Sequence, residues 1–193
     1  MGREIRKVPA NWEHPQRDKD KDTYARGGLQ PMFDQNFDDK FAEWLADFDQ
    51  FRANGPTDDQ REYYPRGLAD WLQDEGSPPD PAYYRPWRDE EATWFQVWET
   101  VSEGTPVTPP FATREALVDY LVEFGDFWQQ KRWKEGDRFM QPSPPGYSRE
   151  AAEKFVMGDG WAPSFVIMRD EHGTRSASGI DVPHMLSQSE HKG

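Results

Sequence analysis

Aromatic rings constrain this chain more than any other feature. Of its 193 residues, 28 are Trp, Phe or Tyr, while the mean hydropathy is −1.04 and the formal net charge −13. Such polarity and charge, taken alone, describe a chain with too little apolar surface to offset the entropy of ordering. Rings bury roughly 150–250 Å² each and so supply the burial that the sparse aliphatic residues cannot. A chain of this length fits one domain and hides roughly 70% of the surface its unfolded form exposes. There is no cysteine, which excludes disulfides and thiolate metal sites and fits a reducing setting.

The acidity is unevenly placed. Residues 31–105 carry eighteen Asp and Glu against six Lys and Arg, whereas residues 1–30 are slightly basic and 106–193 close to balanced. A field of that sign repels nucleic acid and attracts basic surfaces, so direct DNA or RNA binding is not expected. No run approaches the 18 or so apolar residues of a membrane span, and the N-terminus lacks the apolar region of a secretory leader. These readings predict a soluble protein of the cytoplasm.

The elements are legible to different degrees. Arg3–Pro9 reads as a short edge strand. Asn36 to Ala53 is the clearest helix, with Asn36 as N-cap, Asp38 and Asp39 in the first turn, and Asn54-Gly55-Pro56 closing it. Phe37, Phe41, Trp44, Leu45, Phe48 and Phe51 fall on one side of it, opposite Asp39, Glu43 and Asp47, and are expected to pack into a core. A short helix is predicted over Leu68–Gln73. Another is predicted from Asp89 to Val101, with Trp94, Trp98 and Val101 on one face and Glu90 and Glu91 in the first turn. The proline-rich stretch 102–111 can only be extended.

Thr113 caps a helix to Phe124 that Gly125 stops, with Trp128 continuing its stripe, and Ser148 caps a helix to Met157. Strands over 164–168 and 174–180 form a hairpin. The expectation is an α+β fold: a helix-rich single domain over 1–181 with a small antiparallel sheet (the N-terminal edge strand and the C-terminal hairpin), long Pro-rich loops and a polar tail over 182–193.

Catalytic signatures are missing. The sequence holds no phosphate-binding glycine loop, no dinucleotide fingerprint, no His-Glu-x-x-His and no nucleophile elbow. His14, His172, His184 and His191 do not fall at helical ligand spacing. The acidic pairs Asp38/Asp39, Asp58/Asp59 and Glu90/Glu91 point in diverging directions, whereas a hard cation needs oxygens converging from several elements. Neither a metal nor a cofactor is called for. Tyr83 to Arg88, with Trp94, Phe95 and Trp98, carries the ring and arginine side chains that interfaces enrich. Two readings stand for it: core filling, or a partly exposed aromatic patch with an acidic rim.

Two stretches, Arg3-Glu4-Ile5-Arg6-Lys7-Val8-Pro9-Ala10-Asn11-Trp12-Glu13-His14-Pro15 and Trp98-Glu99-Thr100-Val101-Ser102-Glu103-Gly104-Thr105-Pro106-Val107-Thr108-Pro109-Pro110-Phe111-Ala112-Thr113, resemble a widespread set of small acidic proteins encoded by tailed bacteriophages and prophages. The resemblance implies an accessory protein acting in the bacterial host cytoplasm and transfers no catalytic residue. The leading expectation is a non-enzymatic interaction protein. Its acidic surface, made of Asp38, Asp39, Glu43, Asp47, Asp58, Asp59, Glu90 and Glu91, engages a basic surface on a host or phage protein, inhibiting a nucleic-acid-binding defence or replication factor by imitating DNA. A virion-associated or general binding module is the alternative. An enzyme of unrecognised type, using acids with Arg85, Arg88 or His14, is a third reading. The distinctive stretches also mark a candidate functional loop of Trp12, His14, Trp98, Glu103, Gly104 and Thr105, whose competing reading is a Pro-rich connector tucked on the core.

Overall fold

Residues 2–17, 28–74, 76–101, 103–138, 141, 143–163, 165–170 and 173–181 are described by the computed structural model. The tail expected over 182–193 and three of the histidines, His172, His184 and His191, lie outside them. Contacts divide the chain into two compact units. One is made of residues 1–31 and 89–193, the other of residues 32–88.

The first unit is α+β. Its strand β1 (Gly2–Pro9) lies at the centre of a three-stranded antiparallel sheet, between β2 (Ala92–Thr100) and the two-residue β3 (Trp161–Ala162). β1 is therefore not the edge strand its polar residues predict. Arg3 and Arg6 are buried within it, and both strands that flank it come from remote parts of the chain. The β1–β2 register runs from Gly2↔Thr100 to Val8↔Trp94 and then shifts at Pro9, which has no ladder donor.

β2 replaces the helix expected from Asp89 to Val101; a single 3₁₀ turn, Asp89–Glu91, precedes it. Trp94 and Trp98 are four residues apart, a spacing that puts two side chains on one face in either a helix or a strand. The ring-rich, β-branched composition of Ala92–Thr100 favours the pleated form. From Thr105 to Phe111 the proline-rich segment is not helical and lies along the other edge of β2 through isolated bridges. The Val107 N–H donates to the Val97 carbonyl at 2.8 Å, and Phe95 and Phe111 exchange two bonds of 2.8 Å.

Three capped helices complete this unit with a separate two-stranded hairpin. α3 (Arg114–Phe124) starts at Thr113 and ends at Gly125, whose φ of 64° a side chain would resist. Trp128 does not prolong α3. Asp126 and Gln129 form a capping box that starts a new helix. To number the helices in chain order, α1 (Phe37–Asn54) and α2 (Leu68–Asp74) belong to the second unit, α4 is Phe127–Glu135 and α5 is Arg149–Met157, capped by Ser148. α3 and α5 pack Leu117, Val118, Leu121, Ala151, Ala152, Phe155 and Val156 against Val97 and Val107 of the sheet side. Strands β4 (Phe165–Asp170) and β5 (Gly173–Ser178) pair antiparallel as expected.

The second unit closes on its own ends. The Phe33 N–H bonds the Tyr83 carbonyl, Arg85 N–H the Gln35 carbonyl and Phe37 N–H the Arg85 carbonyl, at 2.8 to 3.0 Å. Asn36 completes the closure. Its Oδ1 caps α1 through the Asp38 and Asp39 N–H groups, while its Nδ2 donates to the Trp87 carbonyl at 2.9 Å. One side chain thus starts the helix and fastens residues 33–37 to 83–87.

Candidate functional site

The residues singled out from the sequence fall into two groups with different surroundings. Trp12, His14, Trp98, Gly104 and Thr105 do come together in the first unit. A turn at Asn11, a residue type that tolerates its φ of 56°, follows β1 and leads into Trp12 and His14. The His14 ring meets Trp98 edge to face at 4.9 Å, and the Arg6 guanidinium sits 4.7 Å from the centre of the Trp98 ring.

The polar atoms of these rings are spoken for. His14 Nε2 lies 2.6 Å from the Gln30 carbonyl and so carries the proton, leaving Nδ1 to accept from the Trp12 indole at 3.4 Å. The Trp98 indole donates to Gln96, whose own amide donates to the Thr108 carbonyl. Burial, helped by the nearby Arg6 and opposed by the bond to Gln30, holds the His14 imidazole below its usual pKa. The Thr105 hydroxyl donates to Glu99 Oε2 at 3.0 Å. Gly104 has no room for a side chain, since a Cβ there would stand 2.5 Å from the Glu99 carbonyl oxygen. Glu103, the remaining member, is exposed. This is the geometry of a connector pinned to the sheet, with Trp98 only 1% exposed.

A second buried network in the same unit escaped the sequence reading. Arg3 Nε donates to Asp126 Oδ2 at 2.7 Å, Tyr147 adds its hydroxyl at 3.2 Å, and Asp126 Oδ1 accepts from the Gln129 N–H. Burial, then the Asp126 charge, holds the Tyr147 phenol well above its ordinary range, so it remains a donor. The capping pattern Asp126-x-x-Gln129 is the one local trace of this cluster.

The acidic residues are divided. Glu90 and Glu91 lie in the 3₁₀ turn of the first unit, whereas Asp38, Asp39, Glu43, Asp47, Asp58 and Asp59 belong to residues 32–88. That second unit carries thirteen acids and six cations. Each cation is paired inside it: Lys40 with Glu43, Arg52 with Asp49, Arg61 with Asp58, Arg66 with Asp70, Arg85 with Asp34 and Arg88 with Asp38. Asp39, Asp47, Asp59, Glu62, Asp74 and Asp80 stay exposed without an ion-pair partner among the described residues.

Beside these acids runs a ridge of stacked rings. Phe37, Phe41, Trp44 and Phe48 follow one another on α1 with centroids 5.8, 5.7 and 5.4 Å apart, and Phe51 stacks on Trp71 of α2 at 5.5 Å. The expected core stripe is thus only partly a core. Phe51 is buried, but Phe41 and Leu45 are 37% and 42% exposed, because the seven-residue α2 engages only the C-terminal half of α1. Of the two readings for Tyr83–Arg88, core filling describes Trp87, which is buried, while Tyr83 and Tyr84 are half-buried.

Within this unit a cleft of about 510 Å³ opens beside α1. Trp44, Phe51, Tyr64, Trp71 and Tyr84 form its aromatic wall; Lys40, Asp47, Gln50, Asn54 and Gln60 give it polar atoms. The Trp44 indole N–H is buried with no hydrogen-bond partner among the described residues. Among the described residues no cluster of three or more His, Asp or Glu could hold a metal, and no helix is long and apolar enough to cross a membrane. Compared with family profiles, curated proteins and solved structures, the chain matches none of them.

Proposed function

We propose that this is a non-enzymatic interaction protein whose second unit, residues 32–88, docks onto a basic protein surface. One observation carries the reading: every cation of that unit is engaged in an internal ion pair, so six exposed carboxylates have no counter-charge among the described residues. Exposed carboxylates on a common unit attract a cationic surface over about a Debye length, roughly 8–10 Å at ordinary salt. The half-exposed rings beside them supply the apolar contact that charge alone does not. The likeness of Arg3–Pro15 and Trp98–Thr113 to tailed-phage accessory proteins favours a bacterial cytoplasmic host factor as the partner. A nucleic-acid-binding protein is the class with the required basic surface, and DNA mimicry the corresponding mode of inhibition.

The test is capture from host lysate, identification of the captured protein and competition with duplex DNA. The reading requires a basic nucleic-acid-binding protein that duplex DNA displaces and that a variant with Asp39, Asp59 and Asp74 changed to Asn and Glu62 changed to Gln fails to hold. Equal capture by that variant at low and physiological salt would overturn it.

A further inference from the structure

We infer that the cleft beside α1 receives an arginine side chain of the docked partner, an inference that rests on the basic-partner reading above and names what that partner inserts. The wall charge favours a cation. Lys40 is held by Glu43 at 3.4 Å, while Asp47 has no cation partner among the described residues. The acceptors are aligned: Asp47, Gln50 and Asn54 follow at three- and four-residue steps along α1, and all line the cleft. A row of acceptors suits a guanidinium, which presents five N–H donors in a fixed plane, better than the compact ammonium of lysine.

The aromatic wall fits the same group. Guanidinium planes stack on ring faces, Trp above all. The protein already makes this contact on the same helix, where Arg52 lies 5.5 Å over Phe48, and elsewhere, where Arg138 lies 3.6 Å over Trp133. The size is adequate too. A volume of 510 Å³ lies within the range of about 300–1,000 Å³ typical of ligand sites, enough for the side chain and its flanking backbone. An aliphatic anchor would leave Asp47 and the amides facing apolar atoms.

The experiment titrates the full-length protein with the capped tripeptide Gly-Arg-Gly, with its lysine and citrulline counterparts, and with a chitin oligosaccharide. Indole N–H resonances of Trp44 and Trp71 are read, with Trp128 as an internal control. The arginine peptide should move Trp44 and Trp71 saturably and spare Trp128. Citrulline, of the same shape without the charge, should bind about tenfold more weakly, as should the arginine peptide to Asp47→Asn, because a charge-assisted bond becomes a neutral one. Asp47 is exposed and has no ion-pair partner among the described residues, so the unfolding midpoint of that variant should stay near the parent value.

Equal binding of citrulline, displacement of the indoles by the oligosaccharide in place of arginine, or no response to any ligand would each overturn the inference. The surface variant at Asp39, Asp59, Glu62 and Asp74 leaves the cleft walls intact. Peptide binding by that variant together with capture equal to the parent's would count against the docking reading alone, whereas DNA-competed capture by the parent without any peptide response would count against the arginine site alone.

Discussion

In the first unit Val97, Val107, Leu117, Leu121 and Val156 are all within 1% of complete burial, whereas in the aromatic ridge of residues 32–88 only Phe51 is buried, Phe37, Trp44 and Phe48 are half-buried and Phe41 is 37% exposed. The difference lies in how each kind of side chain finds partners. Branched aliphatic groups gain dispersion energy only when a second layer interdigitates with them, and α3, α5 and the sheet provide such layers. Rings three and four residues apart on one helix stack on each other and need a second layer less. A unit of 57 residues with one long and one short helix has little else to offer. Richness in aromatic residues therefore marks the less buried part of this molecule, where a partner has something to touch.

The contrast extends to charge, and its sharpest test compares two ion pairs. Asp126→Ala would leave Arg3 buried without its partner and should cost about 3–5 kcal/mol in urea unfolding, while Asp38→Ala, which breaks the exposed pair with Arg88, should cost about 0–1 kcal/mol. Comparable losses would show that burial does not separate the units. Next in size is the packing comparison. Leu121→Ala should cost about 2–5 kcal/mol, against less than about 1 kcal/mol for Phe41→Ala, by the same measurement.

The smallest expected effect concerns acid. The folded pKa of His14 is depressed, so the ring is neutral in both states above about pH 6.5 and its setting is then fully stabilising. As pH falls from there through the lower folded value, the unfolded chain takes up the proton first and stability declines. The urea midpoint should therefore drop on acidification, and His14→Gln, whose amide can still donate to the Gln30 carbonyl, should flatten the part of the slope that His14 contributes.

These comparisons show why the helices were easier to read than the strands. Asn36, Thr113 and Ser148 each cap a helix by bonding backbone groups two or three residues away, so the signal and the structure occupy the same few positions. The Trp94/Trp98 spacing fits both periods and so predicts a helix where β2 forms, and β1 reads as an edge because its neighbours begin some 90 and 160 residues away. The candidate loop was half legible. Its distinctive residues do assemble, yet the Gln30 carbonyl that holds His14 and the Thr108 carbonyl that holds Gln96 under the Trp98 indole come from more distant positions of the chain.

The acidic surface shows the same division. Composition alone located the excess negative charge, since charge is a property of residues and adds up without a fold. Which carboxylates remain uncompensated, and that Glu90 and Glu91 belong to a different unit from Asp39 and Asp47, depends on where arginines and lysines land once the chain has folded. Caps, turns and total charge are short-range or additive quantities and can be read along the chain. Burial, strand order and the cleft beside α1 arise from contacts between distant segments, so only the tertiary structure decided them.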